Sequence, residues 1–225
     1  MKYVIGDFLN RRDPSLTNSQ IVNMDITNKC TLACAACSRV KIWNNKPPGG
    51  PISLEDFNKY VDKFDSFEFC GQVSDPTMHP DLKGLLSLVI KNNKHARVHT
   101  AASHRPVKWY KELFEETSND NIHWLFGIDG LPEESHNYRV RQDGVKVFEM
   151  MKLATEYFPP TKIIWKYIVF KYNENHIEEC KQMANELGVV FNVVLSRRFP
   201  DESFRPSPEF VSKRFMENSY FWPSE

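Results

Sequence analysis

The sequence predicts an α/β fold, a partial open (β/α)6 barrel of parallel strands with helices outside. Three observations predict it. Strand-like and helix-like segments alternate strictly from Ile21 to Ser196, and such alternation implies a parallel sheet with helical crossovers. The alternation runs through six units, short of the eight that close a barrel. The residues able to do chemistry fall just after the strands, where α/β folds bind ligands. The chain has 225 residues, 41% of them hydrophobic and 26% charged, which suits one globular domain with small extensions. Residues 1–20 read as an N-terminal extension, 21–196 as the barrel, and 197–225 as a C-terminal tail placed over the barrel mouth.

Each element has its own signal. The first strand, Ile21–Thr27, sets Asn23, Asp25 and Thr27 on one face and Val22, Met24 and Ile26 on the other. The polar face implies a wet interior. Residues 44–51, rich in Asn, Pro and Gly, form a loop. Ser53 opens the first helix with Asp56 three residues on, and Phe57, Tyr60, Val61 and Phe64 make its apolar face. The second strand is Ser66–Cys70, and the second helix runs from Asp81 to Asn92. A third strand, Ala96–Ala101, leads to a helix over Pro106–Glu116 with proline in its first turn. The fourth strand, Asn121–Ile128, ends at Asp129-Gly130, and its helix covers Val145–Tyr157. The fifth strand is Lys162–Phe170, followed by a helix capped by Asn173 and stopped at Gly188. Val189–Leu195 is the sixth strand, and a short helix is expected at Ser207–Asn218.

The chemistry concentrates in Cys30-Thr-Leu-Ala-Cys34-Ala-Ala-Cys37, directly after the first strand. Thiolates are preferred ligands of iron–sulfur clusters, and tight spacing lets one loop wrap one face of a cluster. Three local cysteines leave one iron of a four-iron cluster open. A structural zinc site asks for four ligands, usually two pairs, whereas Cys70 and Cys180 are isolated and form no second pair. Five cysteines in a chain of this size argue against a disulfide framework. The plain alternative is a group of small buried core residues.

The Cys-xxx-Cys-xx-Cys spacing after a first strand resembles the signature of the radical S-adenosylmethionine (SAM) superfamily. The resemblance implies a [4Fe-4S] cluster on Cys30, Cys34 and Cys37, with SAM chelating the open iron. It implies an external one-electron donor, flavodoxin- or ferredoxin-like. It also implies a 5′-deoxyadenosyl radical that takes hydrogen from a small-molecule or peptide substrate. Gly71 with Asp75-Pro76 resembles the family's glycine-rich turn, which holds the SAM amino group. Gln72, Val73 and Ser74 stand where glycines are usual. By the same resemblance Thr100 and Ser103 lie beside SAM, although Ala101-Ala102 replaces the usual Asn-Gly. Asp129 is placed to accept from ribose hydroxyls, and Arg139 or Arg141 to pair with the SAM carboxylate. Ser196, with Arg197 and Arg198, follows the last strand toward the adenine or the substrate. Lys166 interrupts an apolar strand, which is costly unless it faces water or a partner, so an inward Lys166 is a SAM or substrate contact. Asp25 stands where many relatives carry a glutamate. Ala36 replaces a frequent aromatic beside adenine. Cys70 and Cys180 read as core cysteines, and one cluster is expected.

Two other functions stay open at this stage. Lys166, Arg197 and Arg198 would suit an enzyme acting on a nucleotide or tRNA base, yet a formal net charge of +0 leaves no global nucleic-acid footprint. A non-catalytic module holding zinc or a structural cluster is the other. No apolar run reaches membrane-spanning length, and the N-terminus lacks a signal-peptide core, so a reducing cytoplasm is expected.

Overall fold

A computed structural model describes residues 5–6, 20–196 and 199–211. Among them one sheet carries seven strands whose spatial order equals their chain order. β1 (Ile5–Gly6) pairs antiparallel with β2 (Ile21–Met24). β3 (Ser66–Cys70), β4 (His95–Thr100), β5 (Ile122–Gly127), β6 (Ile163–Val169) and β7 (Val190–Leu195) then follow β2 in parallel. The helices are α1 (Ser38–Trp43), α2 (Leu54–Val61), α3 (Leu82–Lys91), α4 (Val107–Thr117), α5 (Gly144–Ala154) and α6 (Ile177–Leu187). Six parallel strands, each step crossed by helix, give the open barrel that the alternation predicts.

Period-two patterning sorts the strand residues onto two faces. Val22, Met24, Phe67, Phe69, Val98, Trp124, Phe126, Trp165 and Tyr167 turn outward and are buried beneath the helices. This layer is strongly aromatic. Phe114 meets Trp124 edge-on at 5.0 Å, and Phe148 meets Trp165 at 5.5 Å. Large side chains fully buried in this way stabilise by about 1.5–3 kcal/mol each. The other face, inside the barrel, carries Asn23, Glu68, Cys70, Arg97, His99 and Lys166, all half-buried.

Local signals account for most boundaries. Ser53 accepts from Asp56 N–H as its helix cap, and Asp81 and Asp143 cap α3 and α5 in the same way. Pro106 precedes the first turn of α4, one position earlier than predicted. Asn173 does not cap α6: its Oδ1 accepts from Phe170 N–H in the preceding turn, and His176 stands at the helix start. Gly188 ends α6 as predicted. β2 stops at Met24, earlier than predicted, and Ile26 O instead accepts from Ile52 N–H. β1 and α1 lie in stretches read as extension and loop. Residues 208–211 are helical, and the rest of the expected tail helix lies outside the described residues, as do Arg197 and Arg198.

His79, 2% exposed, fastens the loop before α2 to the start of α3. Its Nε2 lies 2.9 Å from Ile52 O, and its Nδ1 accepts from Asp81 N–H at 3.0 Å. That arrangement needs a neutral ring, and burial holds the imidazole below its ordinary 6.5. Between that lower value and 6.5 the unfolded chain binds more protons, so stability rises with pH there and falls on acidification. Thermal melts from pH 7.5 down to pH 5, on the order of the window set by the imidazole pKa, should show a falling Tm. His79→Gln should flatten that fall, and an equally steep fall in the variant would remove His79 as its source.

Candidate active site

The cysteine loop lies at the carboxyl end of the parallel sheet and is fastened from two sides. Ala33 and Ala35 N–H donate to Val140 and Tyr138 O at 3.0 and 3.1 Å, in the segment after β5. Asp75 N–H donates to Lys29 O at 2.9 Å, in the turn after β3. Cys37 N–H closes back on Cys34 O at 3.0 Å, and Cys37 then precedes the first residue of α1. The three thiols are half-buried, and Cys30 and Cys34 rest on Leu32, Ala101 and Ala102. Burial pushes Cys30 up to about 12 and Cys34 up to about 11. In the metal-free chain both are neutral thiols at neutral pH, so metal has to displace their protons. Among the described residues no three Cys, His, Asp or Glu side chains converge on one ion. A zinc site needs such convergence. Cluster ligands need it less, because each thiolate binds a different iron. Three half-buried sulfurs over an apolar floor fit a thiolate-bound cluster.

The turn after β3 is folded tightly. A Cβ on Gly71 would lie 1.5 Å from Ser74 O, so no other residue fits there. Asp75, 4% exposed, turns its carboxylate to its own turn and to the end of β4. Oδ1 accepts from Thr77 N–H (3.0 Å) and Thr77 O–H (2.6 Å). Oδ2 accepts from Ala101 and Ala102 N–H (3.0 and 3.1 Å), and Thr100 O–H reaches both oxygens. Pro76 opens the short 3-10 turn that follows.

The end of β5 is braced in a similar manner. Asp129 is fully buried, with Ile168 N–H on Oδ1 at 2.8 Å and Arg139 Nε 2.7 Å from Oδ2. The latter is a contact of charge and not an aligned hydrogen bond. Burial opposes the charge on Arg139, but the facing carboxylate outweighs it and holds the guanidinium protonated beyond its ordinary range. Gly127 makes room, since a Cβ there would meet Arg139 at 2.7 Å. Gln142 Nε2 donates to Ala101 O and Gly127 O at 2.7 and 2.8 Å, tying β4 to β5. Ser103 Oγ accepts from Asp143 N–H at 2.9 Å. Arg141 is exposed, in the left-handed region at φ 73°.

Below the cysteine loop the barrel interior is polar. Asp25 Oδ1 accepts from Ser74 O–H at 2.6 Å and Val73 N–H at 3.3 Å, while its Oδ2 and Thr27 Oγ1 are buried without a hydrogen-bond partner. Burial pushes the Asp25 carboxyl up. Glu68 takes Arg97 at 2.9 Å and His99 at 2.7 Å. Burial would raise the Glu68 carboxyl, but those two partners hold it below its ordinary value. Cys70 donates to Asn23 Oδ1. Lys166, level with Gly127 and Asn192, acts by its charge on Cys70, His99 and Asp129. Its neighbours Trp165 and Tyr167 are buried on the outer side, so the lysine faces inward. Ser196 follows β7 at the same end of the sheet. Near the mouth Tyr138 meets Phe170 at 4.2 Å, with Phe199 and Phe204 against the same ring.

The structure thus brings Cys30, Cys34, Cys37, Gly71, Asp75, Pro76, Thr100, Ser103, Asp129, Arg139, Lys166 and Ser196 to one end or the interior of the barrel, and leaves Arg141 on its rim. Sequence reasoning passed over Arg39, Gln142 and the Glu68–Arg97–His99 group. The last had a signal, a polar residue at alternate positions of apolar strands. Arg39 and Gln142 had none.

Residues 24–185 match the family model of the radical SAM superfamily. The chain belongs to that superfamily. No curated protein matches it in sequence. Among solved structures it is similar to SuiB of Streptococcus suis bound to its precursor peptide SuiA, with a TM-score of 0.66, 16% identity and coverage of 90% of this chain and 48% of that one. The same protein bound to S-adenosylmethionine gives 0.65 at 15% identity, over 88% and 48%. anSMEcpe with bound AdoMet gives 0.64 at 17% identity, over 86% and 55%. At these identities the likeness is one of fold, and the chain spans about half the length of those proteins. No described helix is long and apolar enough to cross a membrane.

Asp75→Ala should leave buried donors from two strand ends unsatisfied and cost about 3–5 kcal/mol, read by urea denaturation. A cost of about 1 kcal/mol or less, the scale of a single hydrogen bond, would show that the carboxylate is not the fastening it looks to be.

Proposed function

We propose that this chain is a radical SAM enzyme that binds a [4Fe-4S] cluster through Cys30, Cys34 and Cys37 and reductively cleaves S-adenosylmethionine. The observation that carries the reading is the cysteine loop itself, fastened at the carboxyl end of an open six-strand parallel barrel in a chain that matches the superfamily over residues 24–185. When bound, the cluster and SAM supply the one-electron cleavage of a carbon–sulfur bond and a 5′-deoxyadenosyl radical. The protein orients the cofactors and excludes water.

The residues divide that work. The Gly71–Pro76 turn offers backbone carbonyls to the SAM ammonium while Asp75 holds the turn in place. Thr100, Ser103 and Ser196 border the same space. Asp129 and Arg139 act through each other as a braced wall, and Arg141 is the exposed arginine of that loop. Lys166 and Asp25, inside the barrel, face the substrate. A peptide or small molecule is the substrate class. SuiB and anSMEcpe, whose structures include bound peptides, favour the peptide. The electron comes from an external flavodoxin- or ferredoxin-like donor. The catalytic unit is residues 21–196.

Anaerobic reconstitution with iron and sulfide, then dithionite and SAM, tests this by assay of 5′-deoxyadenosine. The wild-type chain should form it, and a Cys30→Ala/Cys34→Ala/Cys37→Ala variant should hold no cluster and form none. A wild-type chain that holds its full cluster and leaves SAM intact, with or without added peptide, would point instead to a non-catalytic cluster-binding module.

A further inference from the structure

Arg39 is the buried cation of the cysteine loop. It lies two residues after Cys37 and is 4% exposed. Its Nη2 donates to Leu32 O, inside the loop between Cys30 and Cys34. Its Nη1 donates to Asn45 Oδ1 at 2.8 Å. Asn44 and Asn45 both take left-handed backbone, which asparagine tolerates, and this turns the Asn45 side chain back onto the guanidinium. Arg39 Nε is buried with no hydrogen-bond partner.

What sets Arg39 apart is its charge. Arg139 faces Asp129, and Arg97 faces Glu68. Among the described residues Arg39 has only a carbonyl and an amide, and no carboxylate. A buried charge left unpaired is expensive. Three neutral thiols beside it do not compensate it. Three thiolates on an iron–sulfur cluster form a centre of net negative charge and would.

We infer that Arg39 is the built-in counter-charge of the iron–sulfur cluster and that it holds the cluster's reduction potential up. The inference rests on the cluster reading above and deepens it. Reduction adds negative charge, so a fixed cation nearby favours the reduced state, and the net charge and hydrogen bonds around a cluster set its potential. The position agrees with the chemistry, because Arg39 Nη2 holds the carbonyl of Leu32 between the two ligands Cys30 and Cys34. Arg39 is therefore a positioning residue for electron entry, acting through the cluster and not on the substrate.

The test compares wild-type, Arg39→Lys and Arg39→Gln chains after anaerobic reconstitution, without substrate. Iron per chain, the potential from EPR-monitored redox titration, and the rise in Tm on cluster loading are the readouts. The Gln variant should show a more negative potential and a smaller rise in Tm than wild type, with Lys lying between them. A Gln variant that loses the cluster while Lys keeps it supports the same role. Equal potentials in wild type and Gln, a Lys potential as low as that of Gln, or loss of the cluster in both variants would overturn the counter-charge role alone. A wild-type chain that takes up no cluster would overturn it together with the proposed function.

Discussion

The site depends on one carboxylate. Asp75 collects donors from its own turn and from the end of β4, while its backbone N–H reaches the cysteine loop. Three consecutive β/α units are joined there without any of them reaching far. A buried carboxylate needs such saturation to stay buried. An acidic residue at this position thus orders the backbone of two strand ends and of the cysteine loop.

The two faces of the sheet carry different obligations. The outer face is aromatic and aliphatic, closed by helices, and it holds the fold together. The inner face carries Asp25, Glu68, Arg97, His99 and Lys166. Glu68 is tolerated on that face because Arg97 and His99 of the neighbouring strand both reach its carboxylate, while Asp25 takes Ser74 O–H and Val73 N–H. Period-two alternation permits the division, since each strand serves both layers at once.

Much of this was legible in the sequence. The strands and helices announced themselves by periodicity and caps, and Ser53, Asp81 and Gly188 stand where those rules place them. The cysteine loop was legible because three thiols so closely spaced have few other uses. What was not legible depends on contacts between residues remote in sequence. Gln142 ties β4 to β5 through its side-chain amide, and nothing in its neighbourhood marks it. Asp129 and Arg139 were readable as polar groups at a strand end, but their mutual pairing emerges only when the chain folds back across Gly127. Arg39 carried no mark, because the burial of one residue in a short helix after the loop has no local signature. α1 is only six residues long, too short to carry a full periodic pattern.

The burial of the cysteine loop has a consequence for the life of the protein before any metal arrives. Its anchors, Val140, Tyr138 and the turn at Asp75, come from distant parts of the chain, so the loop's hydrogen bonds are complete only in the folded barrel. There the same burial keeps Cys30 and Cys34 as thiols and not thiolates. Thiols are slow to oxidise and slow to exchange with disulfides, because the thiolate is the reactive form. Cys30 and Cys34 therefore become reactive ligands only as their protons are displaced.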